Sequence, residues 1–104
     1  MDEVVRSAAL SDPTLARMTE IAERFRVLRG APGVRPFDPE QIDAWAVDAA
    51  MSEASKDCAR FVLHVWNVRA EWRCGAFDAV RALGRWDAGH RAAFLAWAQD
   101  PYFP

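Results

Sequence analysis

The chain is short of almost everything that announces chemistry. It has two cysteines, Cys58 and Cys74, and two histidines, His64 and His90. Two cysteines are too few for a disulfide framework and too widely spaced for a zinc knuckle. A metal set of Cys58, His64, Cys74 and His90 has suitable elements. It lacks the C-x-x-C or H-x-x-x-H pair on which zinc sites depend. Cys58 and His64 are a nucleophile and a base, but six positions along one helix rotate their directions by about 240°. Gly30-x-x-Gly33 has neither the lysine nor the strand-to-helix setting of a phosphate loop. The expectation is a protein that is not an enzyme, with no catalytic residue, no metal and no cofactor.

Other scarcities bound the setting. No apolar run approaches the roughly 20 residues that cross a bilayer. The start, Met1-Asp2-Glu3, has no basic segment leading into an apolar one, so no signal peptide is read and a cytoplasmic location is expected. Lysine is nearly absent, with Lys56 alone beside twelve arginines. A net charge of −2 and a pI near 5.6 argue against a large nucleic-acid footprint, which needs a basic face.

What is present is helix. Hydrophobic residues at 52% and charged residues at 27% place the chain among globular domains rather than disordered ones. Its length suits a single domain over residues 1–104. A short helical turn is read over 3–10. Asp12-Pro13 then opens a helix whose face is Leu15, Met18, Ile21, Ala22, Phe25 and Leu28, with Glu20 and Arg24 paired outside and Gly30 as its stop. Residues 30–37, with two prolines and two glycines, form a loop. Asp38-Pro39 starts the next helix, with Gln41 at the capping-box position. The pattern stays helical to about Val68, but its apolar seam jumps by about 140° between Ile42–Ala49 and Met51–Val65. A break near Ser52–Ser55 is expected, with one of those serines as a new cap. The segment after it is apolar nearly all round, hence central. Asn67 to Gly75 is a connection. Phe77, Val80 and Leu83 mark a short helix stopped by Gly84, and Asp87 caps a last one in which His90, Phe94, Trp97 and Ala98 share a face. His90 is expected neutral, stacked under Phe94. The architecture expected is all-α, a compact bundle of four to five helices.

Two features point to binding rather than catalysis. Residues 38–57 carry Asp38, Glu40, Asp43, Asp48, Glu53 and Asp57 against Lys56 alone. Phase puts Glu40, Asp43 and Asp48 opposite the apolar seam, so these acids are expected to face solvent and suit the basic surface of a protein partner. Five tryptophans are a heavy load for so small a core, and tryptophan is enriched at binding hot spots. Trp72 and Trp86, beside loops, join Tyr102 and Phe103 as expected partner contacts. Two alternatives stand beside this reading. Residues 76–98 have the length of a DNA-reading helix-turn-helix, but only Arg91 and Gln99 of its second helix offer polar contacts. A structural homodimer is the other.

The stretch Trp86-Asp87-Ala88-Gly89-His90-Arg91-Ala92-Ala93-Phe94-Leu95-Ala96-Trp97, with Asp100-Pro101 after it, resembles the tail of small uncharacterised proteins of bacterial mobile elements. Val65-Trp66-Asn67 and Trp72-x-Cys74-Gly75 fit the same pattern. The resemblance brings no catalytic residue. It implies, by class analogy, an inhibitor that binds and blocks a host nucleic-acid machine, as anti-CRISPR proteins do.

Overall fold

The computed structural model describes residues 12–48 and 50–104; the turn read over 3–10 lies outside them. Among the described residues there are five α-helices and no strand: α1 (Pro13–Glu23), α2 (Pro39–Ala46), α3 (Glu53–Trp66), α4 (Ala79–Arg85) and α5 (Ala88–Gln99). No helix among them is long and apolar enough to cross a membrane. The all-α bundle expected from the sequence is therefore the fold.

Each helix begins on a side-chain cap. Asp12 accepts from the Thr14 and Leu15 amides, Asp38 from Gln41, Ser52 from Ser55, Asp78 from Arg81 and Asp87 from His90. These oxygens satisfy amides that the first turn leaves without partners. Proline follows the first two caps and lends its fixed φ where no N–H is needed.

The first helix stops before Gly30. It ends at Glu23, Phe25 turns to extended backbone (φ −89°, ψ 114°), and a 3-10 turn covers Arg26–Leu28. The turn keeps Phe25 and Leu28 in the core, where a continued helix would have carried the chain past its neighbours. The apolar seam is as read, with Met18, Ile21, Ala22, Phe25 and Leu28 all buried. The expected Glu20–Arg24 pair is replaced by Arg17–Glu20 at 2.9 Å.

The loop that follows contributes Val34 and Phe37 to the core. Gly33 makes this possible: at φ +85°, an added Cβ would meet the Asp38 carbonyl oxygen and the Ile42 nitrogen at 2.5 and 2.8 Å. The chain then leaves helix after Ala46 and re-enters at Glu53, capped by Ser52. α2 folds back on α3, and α1, the 3-10 turn and α4 pack on the same helix. That explains why α3 buries residues on several sides, among them Cys58, Phe61, Val62, Leu63 and Val65.

Past residue 75 the sequence reading needs three corrections. α4 begins at Ala79 and buries Ala82, so Val80 (82% exposed) and Leu83 face outward, and Gly84 lies within the helix. Phe77, just ahead of it, supplies the inward ring instead, stacked on Trp86 at 5.8 Å. In α5 the buried alanine is Ala93, while Ala98 is exposed. His90 lies against Phe25 and Trp86, at 6.1 and 6.5 Å between ring centroids, rather than beneath Phe94.

Candidate binding surface and apolar cavity

Two of the six acids in the acidic stretch, Asp43 and Asp57, are buried, while Glu40, Asp48 and Glu53 stay exposed. Asp43, expected on the solvated face, is 6% exposed, and its carboxylate accepts the backbone N–H groups of Arg73 (3.0 Å) and Cys74 (2.9 Å). Helical phase set Asp43 apart from the seam, yet it lies among the buried residues of α2, because the 67–75 connection folds over it. Asp57 is 3% exposed and lies 2.9 Å from Arg60 and 3.0 Å from Arg85. Glu53 is shared by Arg60, Arg85 and Lys56. The hydrogen bond from Arg60 outweighs its desolvation and holds its carboxyl below the ordinary range. Asp38 is a helix cap, and Asp48 accepts from the Ala50 amide. Glu40 is exposed with no ion pair among the described residues. Of the six acids, Glu53 and Asp57 are thus met by arginines that arrive from later in the chain, and among the described residues the other four are not.

The aromatics divide. Trp86, expected at the surface, is 2% exposed, its indole N–H donating to the Ala54 carbonyl (3.1 Å) and its ring set among Phe25, Phe77 and Phe94. A loop position next to a helix cap points inward when the following helix doubles back. Trp72 is half-buried, and its indole nitrogen is enclosed without an acceptor among the described residues. Tyr102 is half-buried under the Arg17 guanidinium, 5.6 Å from the ring centre. Phe103 is 67% exposed and meets the Trp97 ring edge-on at 5.4 Å.

The thiols are locked away. Cys58 donates to the Ala54 carbonyl (3.4 Å), and burial pushes its pKa up to about 12. Burial, and then the neighbouring Asp43, raise Cys74 to about 12 as well. Among the described residues no group of histidine, cysteine and carboxylate side chains is placed to hold a metal. Since a thiolate is the reactive form, the native protein at pH 8 is expected to leave a chromogenic disulfide reagent such as DTNB almost unreacted. Denaturant should then release both thiols. Fast native labelling would contradict the buried placement.

Among the described residues, two features left unused by folding bear on function. The first is the outer face of α5. At 100° per residue, Ala88, Ala92, Leu95, Ala96 and Gln99 lie on one side of the helix, all exposed and none charged, with Leu95 at 53%. His90, Ala93, Phe94 and Trp97 lie on the other. The signal was present in the sequence as the chargeless run Ala92–Ala98, which leaves the helix with no clear polar side.

The second is a half-open cavity of about 590 Å³ at the C-terminal end of α3, beneath the inner face of α5. Phe61, Phe77, Phe94 and Trp97 form its apolar wall, and His64, Asn67 and Arg69 bring its polar groups. Phe103 closes one edge, and the Trp97 indole N–H, donating to the Tyr102 carbonyl (3.1 Å), steadies the tail there. Its wall comes from three separate parts of the chain, so no local pattern foretold it.

Comparison of the chain with protein-family models, curated proteins and solved structures finds no match. The functional reading therefore rests on these two features and on residue chemistry.

Proposed function

We propose that this protein works by binding, as a non-enzymatic module that holds a protein partner stoichiometrically through the outer face of α5. The observation that carries the reading is the uncharged exposed face Ala88, Ala92, Leu95, Ala96 and Gln99. Helices of soluble domains normally keep such a face covered, and exposed apolar patches mark interaction sites. Small side chains let a partner backbone approach closely, and Leu95 supplies an anchor.

The contact differs from the one expected of the acidic residues, because Asp43 and Asp57 are enclosed and Glu53 is ion-paired. DNA binding gains little support from the same helix. His90 at its start points inward, and Arg91 is tied to the Trp86 carbonyl at 2.6 Å. The sharper form, a cytoplasmic mobile-element inhibitor of a host nucleic-acid machine, rests on the resemblance of residues 86–101, with 65–67 and 72–75, alone.

The test compares the wild-type chain with Ala92→Glu in a cross-linked pull-down from host lysate, with Glu40→Gln as a surface control. A partner retained by wild type and control but lost with Ala92→Glu is expected. Capture of the same set by all three would overturn the reading. Light scattering over a concentration series should show a monomer; a dimer abolished by Ala92→Glu would instead make this face a homodimer contact.

A further inference from the structure

The cavity beside α3 has the makings of a small-molecule site, separate from the protein-binding face because it lies under the opposite side of α5. Its volume of about 590 Å³ falls within the roughly 300–1,000 Å³ of ligand pockets, which combine an apolar wall with a few polar groups. The wall here is aromatic: Phe61, Phe77, Phe94 and Trp97. The polar groups are unusual in their sign. His64, Asn67 and Arg69 line the cavity, Pro104 adds backbone oxygen, and among the described residues no aspartate or glutamate side chain does.

Arg69 is exposed, and its guanidinium makes no ion pair among the described residues, unlike Arg17, Arg26, Arg35, Arg60 and Arg85. The Asn67 side-chain oxygen already accepts the Arg69 backbone N–H at 3.1 Å. What the polar side offers is therefore mainly donors and one positive charge. A neutral hydrophobe would leave them unused, and a cationic amphiphile would meet a like charge.

The geometry points to a small amphipathic carboxylate as the ligand, with an aryl or medium-length acyl body against the aromatic wall and its carboxylate on Arg69. An arginine fork matches a carboxylate through two parallel hydrogen bonds, while the wall removes the hydrocarbon from water. The ligand class is set by the pairing of a half-open aromatic volume with Arg69, a lining residue that makes no ion pair among the described residues.

Trp66 and Trp97 line the cavity, so intrinsic fluorescence reports occupancy directly. Sodium decanoate and naphthalene-2-carboxylate are the probes, with decyltrimethylammonium as the opposite-charge control, and calorimetry gives the stoichiometry. One-site saturable binding of at least one carboxylate is expected. Arg69→Glu should weaken it by about tenfold or more, and Arg69→Gln by less, with unchanged circular dichroism. Leu95→Glu should leave it unaltered, which separates this site from the protein-binding face. Absence of saturable binding by both carboxylates would overturn the assignment. So would equally tight binding of the ammonium, or an affinity indifferent to Arg69→Glu.

Discussion

Phe61→Ala is expected to destabilise the fold by about 3–5 kcal/mol, the largest effect of any single substitution considered. Phe61 is buried in the middle of α3 and touches four other rings. Phe25 lies at 5.5 Å, Phe77 at 5.2 Å, Phe94 at 5.3 Å and Trp97 at 5.1 Å between centroids, the last three edge-on. Alanine would remove the ring and leave a void that rings anchored on separate elements cannot all close. Each edge-to-face pair also adds roughly 0.5–1.5 kcal/mol beyond the area it buries. A domain of this size has about 5–15 kcal/mol in total, so the variant should unfold at much lower urea. Phe61→Leu, which keeps most of the volume, should cost distinctly less. A loss below about 1 kcal/mol for the alanine variant would mean that this aromatic cluster is not the centre of the core. Because Phe61 also lines the cavity, its alanine variant cannot serve as a test of ligand binding.

Asp43→Ala is expected to cost about 2–4 kcal/mol by a different route. The Asp43 carboxylate is the acceptor for two consecutive amides of the 67–75 connection, those of Arg73 and Cys74. That segment contains no helix, so these hydrogen bonds do the work of secondary structure. A second tie, from Arg60 Nε to the Cys74 carbonyl at 2.6 Å, holds the same point from α3. Removing the carboxylate leaves two donors without a partner, and one of them is buried. Asp43→Asn keeps one oxygen acceptor and should lose about half as much. The readout can be made local as well as global. Cys74 sits on the segment that Asp43 holds, so its thiol should become reactive in Asp43→Ala while Cys58 stays protected. Equal protection of both cysteines in that variant would show that Arg60 holds the connection alone.

The two substitutions illustrate how differently the residues declared themselves. Phe61 was legible as a core residue because the seam Cys58, Phe61, Val62 and Val65 repeats at helical spacing. Asp43 was read as opposite the apolar face of α2, whereas the structure buries it on the flank of that face, beside Ile42 and Ala46. Its role was not legible, because the partners are backbone amides of Arg73 and Cys74, thirty and more positions away. The same holds for Trp86, whose inward turn depends on α5 returning across α3, and for Val80 and Leu83, which a helical pattern cannot distinguish from core until the neighbours are known.

By itself the sequence determined the properties that act over a few residues. These are the all-helical fold, the caps Asp12, Asp38, Ser52 and Asp87, the interruption between α2 and α3 and the central position of α3. All of them follow from short-range hydrogen bonding and from the 3.6-residue period, which are written locally. Tertiary structure alone decided which charges are spent on each other, which aromatics are enclosed, and that α5 is left with an uncovered face above an aromatic cavity. Those outcomes depend on which distant segment covers a given side chain, and burial is a property of the neighbours rather than of the residue.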